Sequence, residues 1–190
     1  MTDTLWVNVN GVWTDTHVKM WLNTTTLFTP EAGYNQTLFG NVVKSQTHGS
    51  HAYAPTMNFT VNPTNLDYKT ESSNADNYST DHAATAWYVH SNAVDLTRFS
   101  KLFIKGSLSS SSTSQYFQME DSIVYFGIRN QNNQDTILWT SGNKQQGEID
   151  LELDLTQYND YYRFFVKTYA TPRNYGTMTT TALLTEVYFS

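Results

Sequence analysis

The residues best equipped for chemistry are Glu148, Asp150 and Glu152, which alternate with Ile149, Leu151 and Leu153 in the run from Gly147 to Leu155. Successive side chains of a strand point to opposite faces, so the three carboxylates share one face and the aliphatic residues the other. Two carboxyls held ~5–5.5 Å apart are what a retaining glycosidase needs, one as nucleophile and one as acid/base. The central aspartate would then tune its neighbours' pKa values. Asp154 continues the alternation past the three, as an ordinary solvent-facing strand would. A wet acidic face is therefore the expected reading, with catalysis by Glu148 and Glu152 as the alternative.

A second chemistry is saccharide binding. A flat ring covers the apolar face of a pyranose while Asn, Asp and Arg bond its hydroxyls. Tyr53, Tyr78, Trp139 and Tyr175 lie in or beside turn-rich segments, and Arg173 and Asn174 precede Tyr175. These six are the candidate ligand-binding residues. Trp87, between Ala86 and Tyr88 in a strand-like run, is assigned to the core. His48, His51, His82 and His90 show no metal-ligand spacing and read as solvated loop residues. No cofactor is expected; Asp76 and Asp81 match no recognised loop spacing but offer oxygens that leave a structural calcium open.

The elements that must position these residues are strands. Thr, Asn, Ser and aromatic residues dominate, with 13 Tyr and 10 Phe, and no useful segment holds a 3.6-residue apolar period. Short strand-like runs are expected at 39–43, 57–61, 85–89, 101–106, 122–129, 136–139, 148–155, 161–169 and 178–189, a spacing that suits a β-sandwich. The serine-rich stretch 107–114 reads as a flexible loop, as do 45–56, 70–82 and 170–177. In a sandwich, loops at one end gather into a binding surface.

Near the N-terminus, Leu5 to Trp13 alternates around Asn10-Gly11, the pair that accepts the positive φ of a type I′ hairpin turn. Residues 17–22 read as a further strand, and a boundary near residue 28 divides a hairpin unit (1–28) from a sandwich (29–190). Trp6, Trp13 and Trp21 load that small unit with apolar surface. A lone hairpin is marginal in water, so it must pack on the sandwich, on a copy of itself or on another protein.

The net charge of −6 with no basic stripe argues against a nucleic-acid partner, and the chain has no cysteine. No stretch approaches the ~20 apolar residues that cross a bilayer. Polar Thr2-Asp3-Thr4 after Met1 shows no signal-peptide pattern.

Several runs resemble known families. Val94-Asp95-Leu96-Thr97-Arg98-Phe99-Ser100-Lys101-Leu102 resembles the I-D-L-T-x-Y-S-K-L step of jelly-roll domains in phage tail and baseplate proteins. The run from Gly147 to Tyr162, with its L-D-L-T-x-Y, looks like the matching half, and Thr185–Phe189 is similar to the terminal strand of those domains. Val7–Trp13 resembles the V-x-V-N-G-x-W hairpins of tail appendages. The resemblance spans roughly half the chain and implies an all-β jelly-roll β-sandwich with a short N-terminal β-hairpin. It also implies a non-catalytic phage or prophage tail-associated protein of the virion, assembled in the bacterial cytoplasm. Such a protein binds host surface polysaccharide and other tail or baseplate proteins, with a homo-oligomer possible. Two alternatives stay open: a purely structural tail assembly protein, and a glycoside hydrolase, since Glu148–Glu152 resembles the E-I-D-x-E strand of retaining β-glucanases.

Overall fold

The computed structural model describes residues 5–9, 12–16, 36–74, 82–113, 122–142, 146–172 and 175–190. The hairpin strands are present: β1 (Leu5–Val9) pairs antiparallel with β2 (Val12–Thr16), Val9 opposite Val12, while the expected Asn10-Gly11 turn lies outside the described residues. The expected strand at 17–22, and Trp21 with it, lies outside the described residues.

The rest is an all-β sandwich. One sheet runs in the order β10 (Asp135–Thr140), β9 (Ser122–Arg129), β12 (Tyr161–Ala170), β6 (Ala84–His90), β3 (Val42–His48), with short β7 (Val94–Asp95) also on β12. The other runs β11 (Gly147–Asp154), β8 (Lys101–Ser112), β13 (Thr177–Phe189), β5 (Leu66–Ser73), β4 (Thr56–Val61). All pairings are antiparallel. In β3–β6, the inner two strands pair in one sheet and the outer two in the other, and β8–β11 repeats the device. Strands β12 and β13 fill the gaps between the two units. Such paired Greek-key excursions make a jelly roll.

Several expectations change, and residues 45–48, read as part of a loop, belong to β3 beside β6. Phe39 closes a single helical turn, Gln36–Phe39, instead of opening a strand, and its ring packs in the core against Phe189 and Phe164. Residues 66–73 form β5 although 70–82 reads as a loop. Its buried positions beyond Leu66 and Tyr68 are Thr70 and Ser72, small polar residues that do not announce a core. The serine run is no loop through residue 112: Ser107–Ser112 extends β8 beside Thr-rich β13, with Leu108 and Ser110 buried. Hydrogen bonding to a neighbour overrides the weak strand preference of serine.

The D-L-T step recurs because it builds one turn twice. Asp95 Oδ1 accepts from the Thr97 amide at 3.0 Å and its hydroxyl at 2.6 Å, and Asp154 Oδ1 does the same for Thr156 at 2.8 and 2.7 Å. Each turn drops its leucine, Leu96 or Leu155, into the core. These bonds, given chiefly by Thr156, hold the Asp154 carboxyl below its usual pKa.

The sheets meet over aliphatic and aromatic side chains and are tied by buried polar bonds. Thr168 and Thr70 hydroxyls lie 2.6 Å apart, Thr70 and Tyr88 2.8 Å, and the Tyr88 hydroxyl donates to the Lys69 carbonyl. Burial pushes the Tyr88 phenol up to about 12. His90, expected in a solvated loop, is instead 1% exposed, with Nε2 2.8 Å from the Tyr68 hydroxyl and its ring stacked on Phe164. Desolvation lowers its pKa to about 3.

A histidine kept neutral by the fold makes folding pH-dependent, because the unfolded chain protonates it below ~6.5 and the folded chain does not. Its contribution is complete above that pH and shrinks as pH falls toward 3. Urea unfolding between pH 6 and pH 4 should show wild type losing stability faster than His90→Gln, by up to ~1.4 kcal/mol per pH unit.

Candidate functional site

Period-two alternation gives each sheet an inner and an outer face, and the two outer faces differ. On the β11 side, Glu148, Asp150 and Glu152 point outward while Ile149 is buried, as the alternation predicts. Strand β11 is an edge strand, and its carboxylates face lysines of β8. Lys101 Nζ bonds Glu152, and Lys105 Nζ lies 4.0 Å from Asp150 and 3.6 Å from Glu186 of β13. Phe103 and Tyr188 stack between these pairs at 4.8 Å. This face is an exposed ion-pair ladder. Beside it, Glu148 and Asp150 share a shallow cleft of about 210 Å³ with Trp139 and Gln146.

The outer face of the other sheet has a different character. Trp87, expected in the core, points outward, because its neighbours Ala86 and Tyr88 take the inner positions. Register places Trp87, Lys167 and Tyr125 in one row across β6, β12 and β9. Lys167 Nζ stands 5.3 Å from the Trp87 ring centroid and 4.9 Å from that of Tyr125, a cation held between two π faces. Desolvation and the neighbouring Tyr169 raise the Tyr125 pKa.

One carboxylate orders this face. Asp135 accepts from Arg129 Nε at 2.5 Å and Nη2 at 3.0 Å, and from the Trp87 indole at 3.1 Å. Strands β12 and β9 separate β6 from β10, about three spacings or ~14 Å on a flat sheet. The bond therefore ties the aromatic row to the edge strand β10. Phe165, pointing outward on β12 opposite Gly127, is nonetheless fully buried, with the Arg129 guanidinium 5.9 Å from its ring. Gly127 makes room: a Cβ there would sit 2.4 Å from Phe165 Cζ and 2.4 Å from the Thr136 carbonyl oxygen. With the Arg129 side chain only 19% exposed, the bidentate pair is partly shielded from solvent.

Next to this row lies a depression of about 220 Å³ lined by Val43, Ser45, Val89, Arg129, Asn133 and Arg163. Arg163 Nε donates to the Ser91 carbonyl at 3.3 Å. The sequence shows no basic stripe because these cations come from β9 and β12 and meet only through strand pairing.

The loop candidates are distributed as follows. Tyr53 and Tyr175 are 62% and 67% exposed, and their segments adjoin at one end of the sandwich: Ala52 bridges Asn74, whose amide donates to the Gly176 carbonyl. Tyr175 has a positive φ of 56°, so backbone strain is spent holding it in a tight turn. Trp139 is half-buried, stacked on Phe126 at 5.2 Å, and belongs to the core's margin. Tyr78, Arg173 and Asn174 lie outside the described residues, as do Asp76 and Asp81. The side chains of Trp6 and Trp13 are likewise not described. No group of His, Cys, Asp or Glu fit to hold a metal occurs among the described residues.

Replacing Gly127 by alanine should force Phe165 or the β10 backbone aside. A loss of about 1–3 kcal/mol, read from the urea midpoint, is expected, with quenching or shift of Trp87 fluorescence as its indole is displaced. No family model matches the chain, and no curated protein matches it.

Proposed function

We propose that the chain is a non-catalytic saccharide-binding protein of a phage or prophage tail, and that the outer face of the β10-β9-β12-β6-β3 sheet is its working surface. The observation that carries this reading is the row Trp87, Lys167, Tyr125. Its side chains are half-exposed, fixed by Asp135 and by cation–π contacts, and directed away from the core. Aromatic faces flanked by fixed hydrogen-bonding groups suit a pyranose, whose two surfaces are alternately apolar and hydroxylated. Exposed Tyr53 and Tyr175 at the sandwich end add rings where a longer glycan would continue. The non-catalytic form is supported by β11, where Glu152, one of the two carboxylates the hydrolase reading needs, is exposed and paired with Lys101. The tail setting rests on the resemblance of the D-L-T steps, the terminal strand and the Asn-Gly hairpin. A single open face binds weakly, and several copies on one particle would raise apparent affinity by ~10²–10⁴.

Co-sedimentation with bacterial cell walls, intact or stripped of surface polysaccharide, tests the reading. Retention should vanish on stripped walls and weaken about tenfold in Trp87→Ala, the ~1.4 kcal/mol scale of a lost ring contact. Absence of retention on every wall would favour a purely structural assembly role. Polysaccharide cleavage that Glu148→Gln abolishes would favour the hydrolase.

A further inference from the structure

We infer that the depression beside Trp87 is an anion subsite, so that the saccharide recognised carries a carboxylate or phosphate next to its ring. The inference rests on the saccharide reading and narrows it to an acidic glycan. The chain as a whole is acidic, yet this face gathers Arg129, Arg163 and Lys167. A negatively charged protein would repel a polyanion everywhere except where such cations are concentrated.

The three cations differ in what they have left to give. Arg129 has its Nε and one terminal nitrogen bound to Asp135, which fixes the guanidinium at the wall of the depression. Among the described residues Arg163 spends only Nε, on the Ser91 carbonyl, and no carboxylate lies within ion-pair distance of Arg163 or Lys167. Toward the described residues the two terminal nitrogens of Arg163 are uncommitted, a fork at the wall of the depression with the geometry that takes a carboxylate or phosphate in bidentate fashion. Ser45 and Asn133 add neutral polar groups to the lining, and Val43 and Val89 an apolar part.

Size and position complete the argument. About 220 Å³ admits one acidic substituent and part of a ring, not an oligomer. The remainder of the sugar must lie outside it, and Ser45, which lines the depression, is paired directly with Trp87 at the start of the aromatic row. The acid would enter between the two guanidiniums while the ring extends over Trp87 toward Tyr125.

The test is calorimetric titration of the full chain at low salt with three probes. These are an oligogalacturonate, the same oligomer with its carboxyls reduced to alcohols, and a glycosylated poly(ribitol phosphate). The acidic probes should bind at least tenfold more tightly than the reduced one, and rising salt should remove the difference. Arg163→Met should erase that preference, and Arg163→Lys should restore part of it. Preference for one acidic probe over the other assigns the anion as carboxylate or phosphate. Equal binding of acidic and reduced oligomers, with Trp87→Ala still weakening both, would overturn the anion subsite and spare the saccharide reading. An undiminished acidic preference in Arg163→Met would also overturn it. Binding of none of the three, together with no retention on intact walls, would overturn both.

Discussion

The structure depends on one geometric constraint: a strand has two faces, and a sandwich can bury only one face of each sheet. Once Leu102, Ile104, Phe126, Phe164, Leu184 and Phe189 are committed inward, every neighbour of opposite parity is turned out, whatever its own preference. The two outward faces then follow different routes. On the β11-β8-β13 side, parity lines up acids against lysines, and exposed pairs of this kind contribute little more than solubility and register. On the β9-β12-β6 side it turns out Trp87, Tyr125, Phe165 and Lys167, too much apolar area to leave loose in water.

Asp135 resolves that second problem. By accepting three charge-assisted or indole bonds it ties Trp87 to the edge strand and immobilises Arg129 over the buried Phe165 ring. The same contacts that remove apolar surface from water leave an ordered row of ring and cation. A rigid surface of this kind loses little side-chain entropy when a ligand arrives, and weak sites benefit most from that.

Much of the fold is legible in the sequence because its signals are local. The alternation from Glu148 to Leu155, the alternating runs on either side of residues 10–11 and the paired D-L-T steps each act within a few residues and reappear as β11, a strand pair and two capped turns. What escapes is decided by distant partners. Thr85–Val89 alternates between two faces that both look half-apolar, and only the bond from Thr70 to Tyr88 on the opposite sheet tells which is inner. Likewise Ser107–Ser112 becomes a strand because β13 lies beside it, and His90 is buried because the Phe39 turn closes over it. The aromatic row joins residues 87, 125, 135 and 167, a set no spacing rule would collect. Tyr53 and Tyr175 were visible as loop aromatics because their flanking turns are local.

The central claim is that the β10-β9-β12-β6-β3 outer face meets the ligand. It is tested most directly by heteronuclear NMR of the labelled chain titrated with solubilised fragments of a polysaccharide that retains it. The account predicts that the Trp87 indole N–H, bonded to Asp135, and the amides around Tyr125, Arg163 and Lys167 shift together, while those of β11 and β8 stay fixed. Shifts confined to Glu148–Asp154, with the Trp87 indole unmoved, would contradict it.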